Sequence, residues 1–174
     1  GRIADASSFS TWLEMFCAQQ LTFSDALPIR LVYAAPSFAE VALIDARLVA
    51  QTLPQQIRNA AVAMGQRLLT IASESYTGPW LATYQQQVAA KQLHGHQCSV
   101  WAVVAKECGI DVDTAVAQHL YATLISLTQN AVRGIPLGQN AGQRIIFTAQ
   151  SWVETAVEKS ATLTNEDFGA VAPG

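Results

Sequence analysis

Residues 112–159 read VDTAVAQHLYATLISLTQNAVRGIPLGQNAGQRIIFTAQSWVETAVEK, and this stretch decides the fold. Val112, Val116, Leu120, Leu124, Leu127 and Ala131 recur at steps of three and four. That spacing lines one face of an α-helix, because side chains three or four apart stack along the same side. Pro136 disfavours helical geometry at Ile135, so the helix is expected to end near Gly134. A second long helix is expected to begin between Gln139 and Gly142. Ile145, Ala149, Trp152 and Ala156 form its main apolar stripe, with Ile146, Val153 and Val157 beside it. Two long helices joined by a turn rich in glycine and proline is the organising expectation.

The same period runs outward toward the start of the chain. Ser8 can cap a helix carrying Phe9, Leu13 and Phe16, and a second helix is expected around Asp25 to Pro28. Ser37 can cap a segment through Val41, Ile44, Leu48 and Val49. Pro54 opens a helix with a seam at Ile57, Ala61, Met64, Leu68 and Ile71, suited to close helix packing. Gly65 costs about 1 kcal/mol against alanine in mid-helix, so it is read as permitting the close approach of another helix. Pro79 opens the next helix after Gly78, and a further one runs from about His96 to Glu107, with Gly109 as a left-handed cap. Asp111 or Asp113 starts the long helix that follows. The run Ile29 to Ala34 can be read as a strand, but its neighbours favour helix, and strand alternation is nowhere sustained. The sequence therefore predicts an all-α single-domain bundle of about seven or eight helices over residues 1–174.

Composition narrows the function. Hydrophobic residues make up 51% of the chain and charged residues 13%, about half the usual charged share. Intrinsic disorder needs the opposite balance. A net charge of −3 argues against an electrostatic nucleic-acid binder, which needs clustered Lys and Arg. Apolar runs are too short and too interrupted for a membrane span. A surface wetted mainly by Gln, Ser, Thr and Ala suits a protein that buries part of itself against a partner. Cys17, Cys98 and Cys108 have no metal-finger or disulfide-scaffold spacing. With no signal peptide at Gly1-Arg2-Ile3, a reducing, cytoplasmic setting is expected. The missing initiator Met and the loop-like end at Val171 to Gly174 are read as marks of a segment from a longer chain.

No catalytic constellation stands out. Gly134, Gly138 and Gly142 lack the Lys-Ser/Thr and the preceding strand of a phosphate loop, and there is no Gly-x-Ser-x-Gly elbow. His94, Gly95, His96, Gln97 and Cys98 form the sharpest local cluster. If extended, His94, His96 and Cys98 share a face and could bind a soft divalent metal. If helical, residues two apart diverge by about 200° and cannot share one. At a helix start, capping by the polar groups and core packing by Cys98 is the preferred reading. His119 is read as a satisfied semi-buried side chain. Asp111, Asp113, Glu154 and Glu158 are read as a solvated charged face. The most unusual stretch is Arg133 to Arg144, where Gln139, Asn140, Gln143 and Arg144 crowd a turn opened by Gly138 and Gly142. Such a turn can pin helix ends through side-chain hydrogen bonds, present a recognition surface, or do both.

Here the sequence resembles the urease accessory protein UreF family. That family carries a Pro-Leu-Gly-Gln-x-x-Gly-Gln motif after Ala-x-Arg, matched by Ala131-Val132-Arg133 and by Pro136-Leu137-Gly138-Gln139-Asn140-Ala141-Gly142-Gln143. Leu53-Pro54, Ile57-Arg58 and Met64-Gly65-Gln66-Arg67-Leu68-Leu69 resemble the family's Glu-x-Arg and Met-Gly-x-Arg-Leu-Leu segment, with Gln56 where an acidic residue is usual. His94-Gly95-His96 and Leu120-Tyr121 also fit. The resemblance spans Trp12 to Trp152. The family's N-terminal Gly-Gly segment and C-terminal Arg-Leu-Phe tail are expected outside residues 1–174.

The resemblance implies an all-α, dimeric chaperone and not an enzyme. It implies assembly with UreD (also called UreH), the GTPase UreG and apo-urease, and help with nickel delivery. Nickel would be cargo of the complex, with no metal held tightly by this chain, no nucleic acid and no membrane. Partner-binding or structural roles fall on Arg58, Arg133, Pro136, Gly138, Gln139, Gly142, Gln143 and Arg144. Gln139 and Gln143 are expected to tie the helix ends, and Arg133 or Arg144 to reach a partner. The other class left open is a helical small-molecule or metal-binding protein with a site near His94, His96 and Cys98.

Overall fold

The computed structural model describes residues 3–52 and 54–169. Leu53 of the family segment, the Gly1-Arg2 start and the Val171–Gly174 end lie outside the described residues. The fold is all-α, 81% helical, with no strand among the described residues. The elements are α1 (Ala6–Phe16), a π-helix (Cys17–Ala26), α2 (Leu27–Ala34), α3 (Phe38–Gln51), α4 (Gln55–Ser75), α5 (Pro79–Ala89), α6 (Gln97–Glu107), α7 (Val112–Gly134), α8 (Gln139–Ala161) and a 3-10 turn (Asn165–Asp167). No helix among the described residues is long and apolar enough to cross a membrane. Backbone contacts divide the chain into two compact units, Leu27–Ala115 and Gly1–Ala26 with Val116–Gly174.

In the unit Leu27–Ala115, α6 is the buried centre. Cys98, Ser99, Val100, Ala102, Val103, Val104 and Ala105 are all buried, which explains why no narrow apolar stripe marked this helix in the sequence. Phe38 meets Trp80 and Tyr84 edge-on, at 6.1 and 5.8 Å between ring centres. Lys106 lies 4.4 Å above the Trp80 ring and donates to the Tyr33 carbonyl at 2.9 Å. Arg30 pairs with Asp113 at 2.6 Å. Ile29 to Ala34 is helical, as the neighbouring pattern indicated.

The seam expected on α4 is corrected by the structure. The buried residues are Ala61, Gly65, Leu69 and Ala72, while Ile57, Met64 and Ile71 are exposed. The packed face is rotated from the bulky seam because Gly65 sets the closest approach. A Cβ there would lie 2.7 Å from the Gln97 nitrogen and 2.8 Å from the His96 carbonyl carbon. What approaches is thus the backbone leading into α6 rather than the flank of a helix.

In the other unit, Asp5 and not Ser8 is the N-cap of α1. Asp5 accepts from the Ser8 nitrogen at 2.8 Å, and Ser8 answers as the reciprocal partner of a capping box. The π-helix was not legible in the sequence. Within it the Thr22 hydroxyl donates to the Cys17 carbonyl, five residues back, at 2.9 Å. Cys17 is buried, and burial, reinforced by the charge of Asp25, pushes its thiol up to about 11. His119 is half-buried and meets Asp25 at 2.9 Å, satisfied as expected. On α7, Val116, Leu120, Leu124 and Ala131 of the expected stripe are buried while Val112 and Leu127 are only partly covered. On α8, Ile145, Ala149 and Ala156 are buried as expected, but Val153 from the flanking row is buried where Trp152 is only partly covered.

Candidate docking site at the turn between α7 and α8

The turn is built by two backbone constraints. α7 ends at Gly134, where Ile135 N–H still reaches the Ala131 carbonyl at 2.8 Å, and Pro136 then removes the next donor. Gly138 caps α8 with φ +71°, a left-handed conformation that glycine adopts without strain. Its carbonyl accepts from Gly142 N–H at 3.2 Å. Leu137 is buried beneath the turn. Gly142 allows α8 to approach α7: a Cβ there would lie 2.7 Å from Val132 Cγ2.

The polar residues of the turn face outward. Arg133, Pro136, Gly138, Gln139, Gln143 and Arg144 are exposed. Among the described residues, the side chains of Gln139, Gln143, Arg133 and Arg144 make no hydrogen bond or ion pair. The expectation that Gln139 and Gln143 tie the helix ends is therefore corrected, since backbone groups and Leu137 close the turn without them. Arg58 lies elsewhere, on α4, where it donates to the Thr52 carbonyl at 3.2 Å and steadies the start of that helix.

The His94 to Cys98 segment forms a different arrangement from a ligand set. His94 is exposed, whereas His96 and Cys98 are buried. His96 is the N-cap of α6, its Nδ1 accepting from the Cys98 nitrogen at 3.3 Å. Among the described residues the three do not gather their ligand atoms into one group. The segment is instead wrapped round a residue that sequence reading passed over. Asp45 is fully buried. Its Oδ1 accepts from Tyr84 Oη and His96 N, both at 2.7 Å, and its Oδ2 from His94 N at 2.9 Å and Gly95 N at 3.2 Å. Three successive backbone N–H groups form a nest for the carboxylate, and Gly95 at φ +80° supplies the bend. Gln66 Nε2 ties the His94 carbonyl from the other side at 2.9 Å. Burial and the neighbouring Asp45 charge hold the Tyr84 hydroxyl well above its ordinary value, so it stays a donor. One sequence signal was available: Asp45 sits on the apolar face of α3, four residues from Val41 and next to Ile44.

The described residues thus define a helical protein with an outward-facing, uncommitted polar turn between its two longest helices. Comparison with known proteins gives that class a family. The UreF family model matches residues 3–150. The chain is 54% identical to the urease accessory protein UreF of Kocuria rhizophila over 178 residues, covering 99% of this chain and 76% of the relative. It is 49% identical over 174 residues to those of Corynebacterium efficiens and of Arthrobacter sp., covering 100% of this chain and 76% of each. The chain belongs to the UreF family of urease accessory proteins. Its role lies in urease maturation, alongside other maturation factors, and it is not itself an enzyme.

Proposed function

We propose that this chain is a scaffold on which UreD/UreH, the GTPase UreG and apo-urease assemble for nickel insertion. The observation that carries the reading is the turn from Arg133 to Arg144, where the side chains of Arg133, Gln139, Gln143 and Arg144 make no hydrogen bond or ion pair among the described residues. Exposed polar side chains on a turn whose backbone is already fixed are available to a partner without backbone ordering. Nickel is then cargo of the assembly, with no metal held tightly by this chain. The state of the GTPase would switch the assembly by its differential affinity for the scaffold. The same reading makes the scaffold a cytoplasmic homodimer, with neither nucleic acid nor membrane as a partner.

The test is native mass spectrometry of the full-length chain mixed with purified UreD/UreH, UreG and apo-urease, each alone and together. The expected result is a stable complex containing UreD/UreH, with UreG joining it. Absence of any complex at micromolar concentration would overturn the scaffold reading.

A further inference from the structure

The outward face of α8 carries one large apolar side chain that the core does not use. Phe147 is 74% exposed. At about 100° per residue it points away from the buried line of Ile145, Ala149 and Val153. Around it on the exposed side lie Gln143, Arg144, Gln150 and Ser151. No ring contact to Phe147 occurs among the described residues.

Charge at this end is one-sided. From Thr114 to Val153 the sequence contains no Asp or Glu, while Arg133 and Arg144 flank the turn. The first carboxylate beyond is Glu154, two turns along α8 from Phe147.

We infer that Phe147, with Arg144 and Arg133, is the anchor of a docking surface for an acidic protein partner: one presenting an apolar pocket rimmed by carboxylates. An aromatic anchor beside an arginine is the composition of an interface hot spot. The two arginines, in a stretch of chain without a carboxylate from Thr114 to Val153, select a partner of opposite sign. This rests on the scaffold reading and assigns its contact chemistry.

The experiment uses the full-length chain against immobilised UreD/UreH, UreG and apo-urease separately, by biolayer interferometry at low and high salt. Wild type is compared with F147A, R144E and the distant surface variant Q118A. One partner should lose about tenfold or more of its affinity with F147A, and similarly with R144E. Added salt should weaken the wild-type contact and leave R144E almost unaffected. Melting temperatures should match wild type, because both side chains are exposed. Retained binding of every partner by folded F147A and R144E would overturn the inference and leave the scaffold reading standing. Failure of wild type to bind any of the three would overturn both.

Discussion

Replacing Asp45 tests how the structure holds the loop that leads into α6. In Asp45→Ala, the hydroxyl of Tyr84 and the N–H groups of His94, Gly95 and His96 lose their acceptor together. A buried donor left unpaired costs about 1–3 kcal/mol. Water can reach the loop near exposed His94, so the four costs do not add in full, and a loss of about 3–5 kcal/mol follows. At roughly 2–4 °C per kcal/mol for a chain of this size, the melting temperature should fall by about 10 °C. Asp45→Asn keeps one oxygen but turns an amide toward N–H donors, and should lose about 2 kcal/mol. Tyr84→Phe removes only the hydroxyl and should lose about 1–2 kcal/mol. Because Asp45 and Tyr84 touch, the double variant should fall short of additivity by about 1 kcal/mol. Urea denaturation followed by circular dichroism reads all four. An Asp45→Ala protein within about 0.5 kcal/mol of wild type would refute the claim that this carboxylate organises the loop.

The remaining predictions concern packing, the turn and pH. Gly65→Ala gains about 1 kcal/mol of helix propensity, yet its Cβ meets the fixed backbone at Gln97 and His96. A net loss of about 2 kcal/mol or more is expected in the same denaturation assay. Gln139→Ala and Arg144→Ala should each stay within about 0.5 kcal/mol of wild type, while Arg144→Ala lowers urease activity per molecule of folded protein in cells. The capping carboxylates Asp5, Asp111 and Asp167 are held below their ordinary 3.8 by hydrogen bonds from Ser8, Thr114 and Thr164. Their contribution is present above that value and is lost as pH falls through the lowered one. The melting temperature should therefore drop on acidification below about pH 4, less steeply in Asp111→Asn, as a thermal melt series will show.

The helical architecture was legible because periodicity is written along most of the chain, α6 and the π-helix excepted. The turn at Pro136 and the left-handed position at Gly109 follow from residue chemistry that acts locally. The α4 face was misread because Ile57, Met64 and Ile71 satisfy a helical period equally well facing solvent or core. What decided the matter was the backbone approach at Gly65, a contact between residues about thirty positions apart. The π-helix escaped notice because nothing in Cys17–Ala26 distinguishes five-residue from four-residue hydrogen bonding before Thr22 is seen on the Cys17 carbonyl. Gln139 and Gln143 looked like clasps because their density suggested internal work, and the outward aim of side chains at a turn is set in three dimensions. Asp45 left a trace, a lone acid on an apolar face, but its partners come from a loop about fifty residues away.

The scaffold account is tested most directly by the nickel content of urease. Urease is expressed with its accessory proteins in cells supplied with nickel, with and without the gene for the full-length chain, then purified and assayed for metal by mass spectrometry. The account predicts that without this chain urease subunits accumulate assembled but poor in nickel and inactive, and that restoring the gene restores both metal and activity. Nickel-replete, active urease in its absence, at the level found in its presence, would contradict the account.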